Sequence, residues 1–286
     1  MPIPVYPESV ALNLDLRPEL HPRFQQLPDG VSEFTFANLY LFRRDHHYRV
    51  SRLPGNLILL TGRDQGIPFF MLPFGLPEDA LLNQLFSGFG SMKCVPEPLA
   101  EQLASRGFIV QEDRDNFDYL YSRQALAELT GRKFHKKRNL IKAFLKNYTY
   151  TGEPLLESHL PAALQILEDW VEGRDDPGDY QAAREALLHA EELQLCGGIY
   201  YVEDHPVAYS LGEENARGKS FIIHFEKAVS GYKGVWQFVN QAFASILPDQ
   251  YDTINREQDL GNEGLRRAKH SYKPIGYVKK YRVQIP

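Results

Sequence analysis

Cysteine is nearly absent from this chain. Cys94 and Cys196 are its only two in 286 residues, and neither has a partner at metal-ligand spacing. They fit reduced thiols in a cytosolic protein. Long apolar runs are missing as well. The longest, residues 67–76, is broken by Pro68, Pro73 and Gly75 and falls far short of the roughly 20 residues a membrane-spanning helix needs. The opening MPIPVYPESV lacks the charged-then-apolar layout of a secretory signal. These absences set the expectation of a soluble cytoplasmic protein with no integral membrane segment. An excess of positive charge is lacking too. Lys and Arg number 32 against 37 Asp and Glu, a formal net charge of -5, so any affinity for nucleic acid or a membrane surface must come from a local patch. With 43% hydrophobic and 24% charged residues, the composition is that of a globular chain with one large core or two modest ones.

One local patch stands out. Residues 131–148, GRKFHKKRNLIKAFLKNY, hold seven Lys or Arg between Arg132 and Lys146 and no acid. Phe134, Ile141, Phe144, Leu145 and Tyr148 form one face at helical spacing, and His135, Arg138, Lys142 and Lys146 form a row beside it. Like charges at that spacing repel by about a few tenths of a kcal/mol per pair. The row therefore calls for an outside anion or for acids supplied by the fold. Lys137 falls in the apolar sector of the wheel, which aims it inward.

Around this segment the chain divides into two runs of elements. Before it come a helix capped by Ser32, strands at 48–53, 57–61 and 67–72, helices at 77–88 and 97–106 with extended segments at 93–95 and 108–110, and a strand at 117–122. After it come a strand at 148–156, helices capped by Ser158 and covering 179–193, and antiparallel strands at 198–202, 207–212 and 221–226. A helix at 234–247, a strand at 251–254, a helix at 262–270 and a strand at 275–283 complete the second run. The order β-α-α-β-β-β-α-β-α-β in that run matches the acyl-CoA N-acyltransferase (GNAT) fold, and the first run looks like a degenerate copy. The expected architecture is α+β: two GNAT-like domains in tandem, with mixed sheets flanked by helices. Residues 1–130 form the first domain, 131–148 a basic connecting helix and 149–286 the second domain.

Three places carry candidate chemistry. The loop KAVSGYKG, residues 227–234, precedes a helix, and its Gly231, Tyr232, Lys233 and Gly234 could let an anion approach the backbone N–H groups. CoA-dependent enzymes usually place a small residue two positions after the last glycine, where this chain has Trp236, so the loop argues weakly for CoA. The alternative is a turn with glycine for geometry alone. The segment NREQDLGNEGLRRAKHSYK, residues 255–273, leaves the C-terminal end of a strand, the usual edge for ligand sites in mixed sheets. It offers Asn255, Arg256, Asp259, Lys269 and Tyr272, or else a charge network that pins a surface turn. On the strand 221–226, alternation puts Ile222, His224 and Glu226 on one face. Tyr200 and Tyr201 read as sheet packing.

Taken together, SEFTFANLYLF, GRKFHKKRNLI, HFEKAVSGYKGVWQFVNQAF and INREQDLGNEGLRRAKHSYKP make the chain resemble the phosphatidylglycerol lysyltransferase C-terminal domain family, long filed as a domain of unknown function. The likeness extends from about Ser32 to Val283. It is also similar to the aminoacyltransferases that build peptidoglycan branches. The resemblance implies an aminoacyl-tRNA donor, with acyl-CoA as the alternative, and an acceptor hydroxyl or amine. It implies tRNA contacts at Lys136, Lys137, Arg138 and Lys142, and a reaction centre of Asp259, Arg256 and Lys269. Asp259 would hold the donor's ammonium or act as base, and Arg256 or Lys269 would steady the oxyanion. No cofactor or metal is needed, because the ester is already activated. Lipid-modifying members carry the domain behind a multi-span membrane region that this sequence lacks. The expected acceptor is then a peripherally reached lipid, a peptide or a small molecule. A non-catalytic RNA- or protein-binding module is the remaining alternative.

Overall fold

A computed structural model describes residues 2–286. Fourteen strands alternate with helices: β1 (Val10–Ala11), β2 (Arg49–Leu53), β3 (Leu57–Asp64), β4 (Ile67–Met71), β5 (Met92–Pro96), β6 (Ile109–Glu112), β7 (Asp118–Ser122), β8 (Tyr150–Pro154), β9 (Cys196–Val202), β10 (His205–Asn215), β11 (Ser220–Ala228), β12 (Thr253–Asn255), β13 (Gly276–Val278) and β14 (Lys280–Gln284). They form two seven-stranded mixed sheets. The first has the order β1-β2-β3-β4-β5-β14-β6, and the second β13-β7-β12-β11-β10-β9-β8.

Sheet membership does not follow the boundary expected at residues 130–148. β7, from the first run of elements, pairs with β12 and β13 in the second sheet. β14, from the second run, lies between β5 and β6 in the first. The strand expected at 275–283 is thus two strands in two different sheets, with Lys279 between them. Buried side chains are continuous between the sheets. One cluster runs from Val50 and Leu60 through Phe36 and Leu39 to Tyr209 and Leu211.

The helix expected after Ser32 starts later and is capped by another residue. It covers Phe36–Leu41, and the Thr35 side chain accepts from the Asn38 N–H. Ser32 is freed for long-range contacts, its hydroxyl donating to Asp118 Oδ1 at 2.8 Å. Ser158 does not cap either, because Glu157–His159 is a 3-10 turn leading into the helix Leu160–Val171. The helix expected over 179–193 is broken at His189 into Tyr180–Leu188 and Ala190–Leu193.

The crossover is held by a buried charge. Lys280, the first residue of β14, donates to Asp118 Oδ1 of β7 at 2.7 Å, to Ser32 Oγ at 3.1 Å and to Glu33. Asp118 also accepts from the Ser32 N–H at 2.9 Å and from Asn255 Nδ2 of β12 at 3.2 Å. Lys280 and Asp118 are both fully shielded from solvent. Removing the cation would leave two carboxylates unpaired in the interior. We therefore expect Lys280→Met to cost about 3 to 5 kcal/mol in urea unfolding. Both sheets should melt in one transition in the parent protein.

Candidate functional site

β11 is nine residues long, and β10 pairs along its whole length. Parallel β12 pairs only Thr253–Asn255 with Ser220–Ile222. Beyond Ile222 that side of β11 is open, and the loop 256–261 fills it at the C-terminal ends of both parallel strands. Two ion pairs cross the gap: His224 to Glu257 and Glu226 to Arg256.

These pairs lie on opposite faces of the sheet, contrary to the shared face that strict alternation predicts. Leu211 pairs with Phe225 but Gly212 pairs with Ile223, so His224 is an extra residue, a β-bulge that reverses the alternation. Phe221 and Ile223 accordingly pack with Phe243 and Leu247, while Phe225 joins the other core. The His224 ring is held by Glu257 at 2.8 Å through Nδ1 and by Glu213 at 3.0 Å through Nε2. Burial alone would lower its pKa, but the two carboxylates overcome it and push the imidazole up to about 10. His224 is a buried cation that ties the loop to the sheet.

The Glu226 face has the more open chemistry. Arg256 Nη2 donates to Glu226 Oε1 at 2.9 Å, and its guanidinium lies 5.2 Å from the Tyr272 ring centre. Lys137 reaches the same ring from the basic helix His135–Asn147, with Nζ 3.7 Å from the centre and donating to Ser271 Oγ at 2.6 Å. Lys269 donates to the carbonyls of Arg256 and Glu257, the latter at 3.3 Å. Burial first, and the Arg256 charge second, bring each amine down to about 8. The structure thus gathers Arg256, Glu226, Lys269, Tyr272 and Lys137 in one cluster.

Other expected residues have different duties. Asp259 is fully buried, and it accepts from Arg266 at 2.7 and 2.9 Å, from the Tyr119 hydroxyl at 2.6 Å and from the Gly261 N–H at 3.0 Å. These donors hold its carboxyl far below the usual range even though burial opposes them. With both oxygens engaged, it fastens the loop. Asn255 is buried too, donating to the Gly30 carbonyl at 3.1 Å and accepting from the Glu257 N–H at 2.8 Å. It thereby fixes Glu257 at a φ of 54°. Gly234 is required for close packing, because a Cβ there would come within 2.2 Å of the Leu140 carbonyl oxygen on the basic helix. Tyr232 packs edge-on against Tyr148 at 5.2 Å. Gly231 and Lys233 remain exposed. Arg138 donates to the carbonyls of Leu129 and Gly131 and so closes the end of the preceding helix. Lys136 and Lys142 are exposed.

Lys280, Asp118 and Glu33 were not picked out from the sequence. The available signal was an Asp heading a largely apolar-aromatic strand, DYLYS. A cavity of about 250 Å³ opens at the end of β11, lined by Trp170, Trp236, Asp169, Glu172, Arg174 and Ser230.

The family model for "Phosphatidylglycerol lysyltransferase, C-terminal" matches residues 24–284. The chain belongs to this family. An uncharacterized protein of Mycoplasmoides gallisepticum is 28% identical over 188 residues, a match that takes in 62% of this chain and 58% of that relative. A conserved protein of unknown function from Bacteroides thetaiotaomicron superposes with a TM-score of 0.87 at 29% identity, covering 97% of this chain and 99% of its own. The C-terminal domain of a putative lysylphosphatidylglycerol synthetase from Agrobacterium fabrum has a TM-score of 0.62 at 16% identity over 95% and 92% of the two chains. A tandem GNAT protein from the clavulanic acid biosynthesis pathway (TM-score 0.51, 9% identity, 97% and 98% covered) shares the architecture. The fold is thus the tandem GNAT one. Among the described residues, no helix is long and apolar enough to cross a membrane.

The bulged histidine makes stability depend on pH. Its folded-state pKa is raised, so its contribution is complete below about 6.5 and is lost as pH rises through about 10. Lys137 and Lys269, lowered to about 8, act in the opposite sense over the range above that value. Chemical denaturation at a series of pH values should therefore show His224→Gln losing most relative to the parent near pH 6, with the difference shrinking toward pH 10.

Proposed function

We propose that the protein moves an aminoacyl group from the 3′ ester of an aminoacyl-tRNA to an acceptor amine or hydroxyl. One observation carries this reading. None of the seven basic residues between Arg132 and Lys146 has an acidic side chain within salt-bridge distance among the described residues. The fold supplies no paired acid to the row, and this supports an anion from outside. A polyanion meets that need, and Lys137 links the exposed basic face to the Arg256 cluster.

The chemistry follows from the held groups. The acceptor's nitrogen or oxygen forms a bond to the acyl carbon, and Arg256 stabilises the oxyanion that develops. Lys137 takes the acceptor's proton, because its amine sits near 8 and is bound only by a hydroxyl and a ring face. The same proton passes to the ribose oxygen as the ester C–O bond breaks. Lys269, tied to two carbonyls, keeps the Arg256–Glu257 backbone in place. A peripherally reached lipid, a peptide amine or a small molecule is the acceptor, and the work is done in the cytoplasm.

The tRNA contact is tested by salt. Binding measured between low and moderate ionic strength should weaken steeply, and Lys136→Ala and Lys142→Ala should each reduce the log–log slope by about one unit. An affinity flat over that range would remove the basic helix from the interface. The proton step is tested separately. Lys137→Arg keeps the charge but not the titration, so it should lower the transfer rate by about 100-fold or more and flatten its rise through pH 8. A clear thermal shift with acetyl-CoA and none with tRNA would instead favour the CoA-dependent alternative.

A further inference from the structure

Both tryptophans of the chain line the cavity at the end of β11, and they come from different elements. Trp170 lies near the C-terminal end of the helix Leu160–Val171, which packs on β10 and β11. Trp236 is in the first turn of the helix Val235–Ile246. The Trp170 ring is already occupied, with Lys227 Nζ 3.7 Å from its centre and the Arg174 guanidinium 4.2 Å from it. The Trp236 ring is not. Trp236 is 37% exposed, and no aromatic ring or cation lies over its indole among the described residues. Donors and acceptors both stand around this free indole. Asp169 engages Oδ1 with Gln165 at 2.8 Å, and Glu172 joins no ion pair among the described residues. Arg174 donates through Nε to the Trp170 carbonyl at 2.6 Å, which leaves its two terminal nitrogens for other acceptors. The exposed Ser230 hydroxyl can donate or accept. Lys227 is paired with Asp179.

A bare indole is unfavourable in water, and this one forms the wall of a cavity of about 250 Å³, room for one small ring. Charge narrows the occupant. A cation would meet Arg174 and Lys227, which already hold the Trp170 ring, and an anion would meet Asp169 and Glu172. A wholly apolar ligand would strip water from two carboxylates and a guanidinium without replacing its hydrogen bonds. What remains is an uncharged ring with an apolar face and several hydroxyls at its rim. We propose that the cavity binds one pyranose sugar ring, stacked by a C–H face on Trp236. Each sugar hydroxyl donates and accepts, so neighbouring hydroxyls meet Asp169 or Glu172 on one side and Arg174 on the other. A nucleobase would also stack, but it carries its donors on one edge, while two carboxylates at the rim ask for several. Ala228, on the cavity wall, is two residues past Glu226 on β11, about 7 Å along the strand. A bound sugar would therefore lie near the Arg256 cluster. The site rests on the cavity and its free indole, and not on the aminoacyl reading.

Because the chain has no tryptophan outside this cavity, selectively excited indole fluorescence reports on the site alone. The intact protein is titrated at neutral pH with the methyl pyranosides of glucose, galactose, mannose and N-acetylglucosamine. Glycerol, adenosine, tetramethylammonium and inorganic phosphate serve as comparison ligands: a polyol without a ring, a base, a cation and an anion. The expected result is a saturable change with at least one pyranoside, at a lower concentration than with any comparison ligand. No saturable change with any pyranoside would overturn the proposal, and so would a comparison ligand that binds as tightly as the best pyranoside. Variants are followed by ligand-observed NMR, which does not depend on the indole removed. Trp236→Ala should weaken binding of the best pyranoside by about 10-fold or more, and Glu172→Gln by about fivefold. Unchanged affinity in a Trp236→Ala variant that melts like the parent would remove the sugar site. If that variant does not fold, Glu172→Gln decides in the same way.

Discussion

A single ammonium, that of Lys280, sits where both sheets and the residues leading into them meet. It faces Asp118 on β7 and Glu33 in the 3-10 turn Ser32–Phe34, and Asp118 in turn accepts from Asn255 on β12. Each of these carboxylates would be an expensive group to bury alone, since desolvation exceeds what one hydrogen bond returns. Held together they specify a register. β14 can enter the first sheet only where Lys280 reaches Asp118, and β7 can enter the second only where Asp118 reaches Asn255. The loop 256–261 starts one residue past that asparagine, so the geometry of the Arg256 cluster is set by a contact it does not touch.

The loop itself is fastened twice more, by His224 on one face and by Asp259 underneath. Three charged residues thus serve geometry, Lys269 joins them through the two carbonyls it holds, and this leaves Arg256 and Lys137 in a position to serve chemistry. The division of labour is physical. A carboxylate that accepts four hydrogen bonds has no lone pair to offer and a pKa too low for proton exchange. An amine brought to about 8 by burial has both forms within reach at ordinary pH.

Much of this was legible in the residues. Hydrophobic periodicity and turn residues locate most of the strands and the long helices, because those signals are local. The inward aim of Lys137 also follows from its place on the helical wheel. What sequence could not carry was non-local or exceptional. One inserted residue at His224 inverts a face that alternation would have kept, and nothing in FIIHFEK marks it. The part Asp259 plays in fastening the loop was not legible, because its partners Tyr119, Arg114 and Arg266 come from separate elements. Gly234 looked like a ligand loop and is a helix-packing contact, since the Leu140 carbonyl that requires it lies 94 positions earlier in the chain. The exchange of β7 and β14 is a fact of pairing between sheets, to which element order is blind.

That exchange bears on how the protein comes into being. The first sheet has a slot between β5 and β6 that residues 280–284 fill. While the chain is being synthesised, the strands of the first run are complete for more than 150 residues before the piece that joins them is made. Two open strand edges and the carboxylates of Glu33 and Asp118 stand exposed for that interval. The first half is therefore a poor candidate for a stable nascent domain. The molecule closes late and as a whole, when one lysine and the five-residue strand it heads arrive to finish a sheet begun near the other end of the sequence.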